Sequence, residues 1–269
     1  MIDIHTHLHP ERLGKAIRKW FADKSDWKLY HPFDPVSVAD KLKEKGVSRF
    51  VFCSYAHKAG IAASINQWLC TTAKELDGYG LPLLTVHLDD PDFADYAKKA
   101  IANGCIGVKI HEDVQALAID DPRFDSVYEQ VAKINGFVLA HVGPIPWRIE
   151  EGSGLKRVKR VKEKFPKLNF VVAHMGLPDT LSYFKLAEQT PGLYLDTTMS
   201  FSTRSGLQSN IASSLLERHS DKILFGTDYP NIPYEYELEQ MCLKKRGLST
   251  DAQTRIFDTN ARALLAPFI

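Results

Sequence analysis

The sequence predicts an α/β fold, a (β/α)8 TIM barrel of the kind metal-dependent hydrolases use. Three observations point to it: short β-branched apolar runs alternate with amphipathic segments from end to end, there are eight such units, and no low-complexity linker or shift of composition interrupts them. Eight units favour a closed barrel over an open doubly wound sheet, and residues 1–269 are expected to form one domain. The strands are expected at Ile2 to His5, Arg49 to Ser54, Leu83 to Leu88, Gly107 to Ile110, Phe137 to His141, Asn169 to His174, Leu193 to Thr197 and Ile223 to Gly226, each too short for a helix. Between them Val36 to Lys45, Ile61 to Leu76, Phe93 to Ala102, Phe124 to Ile134, Leu155 to Phe165, Leu181 to Gln189 and Leu207 to His219 carry apolar residues three and four apart, the period of a helix with one buried face. Gly46, Gly104 and Gly136 close three of these helices, where a left-handed residue ends the last turn.

Length and composition exclude several classes. With 269 residues the chain can bury a full core, and 44% hydrophobic with 25% charged residues is ordinary globular usage. No run approaches eighteen apolar residues, and the start Met-Ile-Asp-Ile-His lacks a basic, apolar leader, so no membrane span and a cytoplasmic location are expected. A formal net charge of +1 gives no footprint for nucleic acid. The basic run from Lys156 to Lys164 alternates with Val158 and Val161 and reads as the solvated face of a helix. Cys53, Cys70, Cys105 and Cys242 form no CxxC pair, which argues against a disulfide framework or a thiolate zinc site.

The long segments from Leu8 to Pro35, Pro144 to Gly154 and Met199 to Gly206 all follow strands. In a barrel they lie on the C-terminal rim, where active sites sit, and residues 8–35 are a candidate lid.

The chemistry is carried by polar residues at strand ends. His5 and His7 are two apart on a strand, so both rings leave one face. Alone this pair is a weak signal. It gains weight because His141 closes Val138-Leu139-Ala140, His174 closes Val171-Val172-Ala173 and Asp228 follows Ile223 to Gly226. Four histidines and an aspartate aimed at one barrel mouth suit a divalent metal, zinc first among imidazole and carboxylate ligands.

With these residues in view, the chain resembles the amidohydrolase superfamily, and within it the amidohydrolase-related group of hydrolases and metal-dependent decarboxylases. The resemblance covers nearly the whole length and is carried by Asp3-Ile-His-Thr-His7, Gly107-Val-Lys-Ile-His111, Ala140-His-Val-Gly143, Ala173-His-Met-Gly176 and Phe225-Gly-Thr-Asp-Tyr-Pro230. It implies that His5, His7 and Asp228 bind metal and that His141 joins them. It further implies that His174 holds a second metal or hydrogen-bonds water or substrate, and that Asp228 is also the general base. A divalent ion lowers the pKa of bound water from 15.7 towards about 7, which supplies hydroxide at neutral pH.

Lys109 decides the metal count, since some members of the superfamily carbamylate a lysine on the fourth strand to bridge two metals. An ammonium about 4 Å from a divalent ion is repelled by roughly 8 kcal/mol at an effective dielectric near 20. Lys109 is therefore carbamylated, neutral, or further out, where it could pair with a substrate carboxylate; the last is the expectation, with one ion bound, and a second only if Lys109 is carbamylated. His111, Arg148 and Tyr229 are further substrate candidates, and Trp20, Trp27, Trp147, Met175 and Arg204 also fall in or beside rim loops. His9, His31, His57, His87 and His219 stay unassigned. The reading is a hydrolase acting on a C–N or C–O bond of a small carboxylated molecule. The alternatives are a metal-dependent decarboxylase and a catalytically inactive metal-binding barrel, which the retained His174 and Asp228 argue against. No nucleic-acid or membrane partner is expected, and pairing into a homodimer through the outer helices is left open.

Overall fold

The computed structural model describes residues 1–143, 153–205 and 210–269. Among the described residues eight parallel strands follow the expected order: β1 Ile2–His7, β2 Arg49–Cys53, β3 Gly80–Leu83, β4 Gly107–His111, β5 Phe137–His141, β6 Asn169–Val172, β7 Leu193–Asp196 and β8 Ile223–Leu224. Ladders join β1 to β3 and β4 to β8 in sequence order. Backbone bonds close the ring. Leu84 N donates to Gly107 O at 2.9 Å and Lys109 N to Leu84 O at 2.8 Å across the first gap, and Ile4 N donates to Phe225 O at 2.9 Å across the second. The chain is thus a TIM barrel.

The helices are α1 Glu11–Lys24, α2 Pro35–Glu44, α3 Ala62–Glu75, α4 Phe93–Ala102, α5 Glu112–Gln115, α6 Asp125–Lys133, α7 Ser153–Lys164, α8 Thr180–Gln189, α9 Ser213–Arg218, α10 Glu237–Lys244, α11 Thr250–Thr254 and α12 Asn260–Leu265. Two expectations need correction. Leu8 to Pro35 is not irregular throughout: Leu13, Ala16, Ile17, Trp20 and Phe21 repeat at helical spacing and build α1, which Gly14 lets approach Phe33 so closely that a Cβ there would lie 2.7 Å from its ring. The third strand runs over Gly80–Leu83, upstream of the expected Leu83 to Leu88. It contains Pro82, which has no N–H for a ladder, so its propensity reads against a strand although its carbonyl still accepts from Ile106 N.

Inside the ring, Ile2, Ile4, Val51, Leu83, Phe137, Leu139, Val171 and Leu224 pack with Ala261, Leu264 and Leu265 of α12 into one apolar cluster. These residues precede the polar strand ends, so the cluster plugs the barrel beneath them. Strand β1 crosses from plug to polar layer through a bulge, since three steps from Asp3 to Thr6 face two steps from Phe50 to Phe52. The extra residue lets Ile4 and His5 both serve the interior, and Asp3 Oδ1 accepts the His5 amide at 3.1 Å.

The loop after β7 is held by one buried carboxylate, Glu239 of α10, which accepts from Phe201 N at 2.7 Å and Ser202 N at 3.0 Å. Burial pushes its pKa up to about 8, outweighing the amide bonds that lower it, against 4.5 for the free side chain. Between these two values the unfolded chain gives up a proton that the folded one keeps, so this contribution is complete below about pH 4.5 and lost by about pH 8. In urea unfolding, the stability of the wild type relative to Glu239→Gln is therefore expected to fall as pH rises from about 5 to 8, by up to about 1.4 kcal/mol per unit. A relative stability that rises over that range would overturn this account.

Candidate metal centre

The residues singled out at the strand ends converge on the floor of one cavity. His5 Nε2 and His7 Nε2 each lie 3.0 Å from the same oxygen, Asp228 Oδ1. Gly226, two residues before Asp228 on the inner face, makes room for this. A Cβ there would come within 2.7 Å of Thr198 Oγ1 and 3.0 Å of His5 Cβ. Asp228 itself adopts a left-handed φ of 66°, and His174 one of 55°, unusual backbone for non-glycine residues and concentrated here at the mouth.

The fourth and fifth strands supply the other wall. His111 and His141 are paired in register, with rings stacked 4.0 Å apart. His174 follows β6: its Nδ1 lies 3.1 Å from Thr198 O and its Nε2 3.0 Å from His141 Nδ1. Because a carbonyl only accepts, His174 Nδ1 carries the proton, so in the neutral ring Nε2 accepts from His141 Nδ1. Lys109 is buried and its Nζ donates to His5 Nε2 at 2.7 Å. This corrects the outward position expected of it: the ammonium lies against the nitrogen that an ion would use.

Electrostatics separate the roles. Asp228 is only slightly exposed, a desolvation that alone would raise its pKa, but the charges of His5 and His174 and its contacts with His5 and His7 hold it well below the carboxylate range. It is ionised at neutral pH. Burial brings His7 down to about 4, and burial with neighbouring cations puts His111 and His141 well below the usual imidazole value. His5 goes the other way. Burial and Lys109 push it down, but Asp228 and Asp196 outweigh them.

The carboxylate behind His5 is not among the residues the sequence singles out. Asp196, fully buried at the end of β7, has Oδ2 2.8 Å from His5 Nδ1. The signal was available, because it ends an apolar strand as Asp228 and the histidines do.

The cavity above this floor measures about 570 Å³. His7, Lys109, His111, His141, His174 and Asp228 line its base, and Leu13, Ile17, Trp20, Phe21 and Trp27 of the α1 region form an apolar wall, with Tyr55 and Met199 beside it. His57, Asp113 and Asn231 add polar groups. Tyr229 is not among the lining residues. The residue after Asp228 points the other way, and the ring is buried between His31 and Tyr236, 5.0 and 5.4 Å away. Arg148 and Trp147 lie outside the described residues. Met175 is buried and Arg204 is not at the cavity. His9 sits behind His7, bonded to Ser54 Oγ at 2.8 Å.

The donor set fits a divalent ion. Two ligand atoms each about 2.1 Å from a tetrahedral ion lie about 3.4 Å apart, and both imidazole Nε2 atoms stand near that separation from Asp228 Oδ1. Cys53 also brings its sulfur within 4.8 Å of ligand atoms of His5 and His7. Burial pushes its thiol up to about 12, and it donates to Thr6 O, so the carboxylate is the better third donor.

Comparison with known proteins gives the family and the fold. The amidohydrolase family model matches residues 2–266. No curated protein matches. Similar solved structures include an uncharacterised TIM-barrel protein of Bordetella bronchiseptica, 18% identical, covering 99% of this chain and 98% of that one with a TM-score of 0.74. A 5-carboxyvanillate decarboxylase of Novosphingobium aromaticivorans, complexed with manganese and a nitrobenzoic acid, is 13% identical over 98% and 95% of the chains, with a TM-score of 0.68. A probable 2-pyrone-4,6-dicarboxylic acid hydrolase of Acinetobacter baumannii with citric acid bound is 14% identical over 98% of each chain, with a TM-score of 0.66.

The space left by Gly226 makes a direct prediction. Gly226→Ala is expected to displace His5, cost about 1–3 kcal/mol in urea unfolding by overpacking, and lower the zinc or manganese retained after dialysis. Wild-type stability and metal content in that variant would show that the His5 backbone has slack.

Proposed function

The chain belongs to the amidohydrolase family, and from that premise we propose that it is a metal-dependent hydrolase that cleaves a C–N or C–O bond, in an amide, lactone or ester of a small carboxylated molecule. The observation that carries this reading is the ionised carboxylate of Asp228, pinned between His5 and His7 at the base of the cavity. In this proposal His5, His7 and Asp228 hold the ion, with His141 beside them. The ion, zinc as the first choice, supplies Lewis acidity to water and to the substrate carbonyl.

The protein's own residues do the rest. Asp228, ionised throughout the neutral range, accepts the proton of the attacking water and passes it to the leaving group. His174, its Nδ1 proton held by Thr198 O, presents Nε2 as an acceptor that hydrogen-bonds the attacking water. His111 meets the polar end of the substrate, and the wall of Trp20, Phe21 and Trp27 takes its apolar body and excludes bulk water.

That same apolar wall favours a second reading, decarboxylation, because it destabilises the localised charge of a substrate carboxylate, whose C–C electron pair stays on the substrate carbon and takes up a proton as neutral carbon dioxide leaves. A panel of small lactones, amides and aromatic carboxylates, assayed with zinc or manganese, separates the two. Cleavage without carbon dioxide is expected, with a proton released from a lactone and none from an amide, whose amine takes it up, and carbon dioxide release would replace hydrolysis by decarboxylation. Asp228→Asn is expected to keep most of the metal and lose about 10²–10⁴-fold in turnover. Near-normal turnover in that variant would remove Asp228 as the base.

A further inference from the structure

We propose that Asp196 is a positioning residue, whose carboxylate fixes the tautomer of His5 and so keeps a lone pair on the ring nitrogen that faces the metal centre. The consequence for metal rests on the reading of His5 as a ligand; the tautomer does not.

Every hydrogen bond around Asp196 points the same way. Oδ1 accepts from His174 N at 2.9 Å and from Thr198 N at 3.0 Å. Oδ2 is left for His5 Nδ1 at 2.8 Å, with Thr198 Oγ1 3.2 Å from the same nitrogen. An ionised carboxylate has no proton to donate, so Nδ1 must carry one. The lone pair of the neutral ring is then on Nε2, the atom 3.0 Å from Asp228 Oδ1 and 2.7 Å from Lys109 Nζ. Because His174 is itself at the mouth, one buried carboxylate sets the ring of His5 and the backbone entry to His174 together.

The two amides at Oδ1 make the amide variant informative. In Asp196→Asn the side-chain oxygen must remain at Oδ1, since the reverse orientation leaves two buried N–H groups facing an NH2. The NH2 then faces His5 Nδ1. To accept from it, His5 must move its proton to Nε2, where it blocks metal ligation.

The test is ring-nitrogen NMR on histidine-labelled, metal-free protein at about pH 8, with His5 assigned by His5→Asn. Wild type is expected to show His5 protonated on Nδ1, Asp196→Asn on Nε2, and Thr198→Val, which keeps the carboxylate, on Nδ1. Calorimetric titration with zinc is expected to show affinity about 10–100-fold weaker in Asp196→Asn. Wild-type His5 protonated on Nε2 alone would overturn the proposal even if Asp196→Asn fails to fold, as would a folded Asp196→Asn that keeps the Nδ1 proton. Wild type with the Nδ1 proton but no affinity for zinc or manganese would support the role of Asp196 and overturn the metal reading.

Discussion

The structure depends on keeping several ionisable side chains together in a dry barrel mouth. Asp196 is fully buried and Asp228 only slightly exposed, and an isolated carboxylate in such a place would cost several kcal/mol. Each is instead bonded to His5, with Lys109 against the same ring. Much of the local architecture serves this arrangement. The β1 bulge brings His5 to the interior above Ile4, Asp3 takes up the displaced amide, and Gly226 leaves the space into which the ring fits. Beneath it the apolar plug that ends on α12 keeps water from the lower side.

Above it the two halves of the cavity have opposite character, and they come from different parts of the chain. The polar floor is made of strand ends, rigid positions that hold donors to within the tolerance ligation requires. The apolar wall is mostly one helix, α1, anchored where Gly14 meets Phe33 and where the Arg18 guanidinium lies 4.5 Å from the Phe33 ring centroid. Chemistry is thus set by the barrel and substrate shape by an inserted segment, the division that lets one fold serve many reactions. Either proposed reaction uses the same floor, so the choice between them rests on what the wall admits.

Most of the site was legible because a polar residue ending an apolar strand is costly unless it has work to do, and His5, His7, His141, His174 and Asp228 all follow that rule. Asp196 follows it too and was missed, because no spacing motif draws attention to it. Tyr229 is a substrate candidate through its neighbour Asp228, but the chain turns there, beyond β8 and at the left-handed Asp228, and buries its ring between His31 and Tyr236. The α1 helix was hidden by its position in a long rim segment, in spite of clear helical spacing, and β3 by Pro82. The bulge in β1 has no sequence signature, since it exists only in the register of β1 against β2. Pairing between distant residues, such as His5 with Asp196, is likewise a property of the closed ring.

Lys109 is where sequence and structure together constrain the chemistry most tightly. The His5 Nε2 atom has one lone pair, and Lys109 Nζ occupies it at 2.7 Å. A divalent ion that takes that lone pair must displace the ammonium, and it cannot leave a cation beside it at a repulsion of roughly 8 kcal/mol. Formal charge leads to the same conclusion. The carboxylates of Asp196 and Asp228 balance a divalent ion alone once Lys109 is neutral or withdrawn and His5 keeps only its Nδ1 proton. On the proposed ligand set, loading the site is therefore a change in Lys109 as much as an addition to His5, His7 and Asp228. The His5 Nδ1 to Asp196 bond is common to both states, which makes it the fixed point about which the exchange takes place.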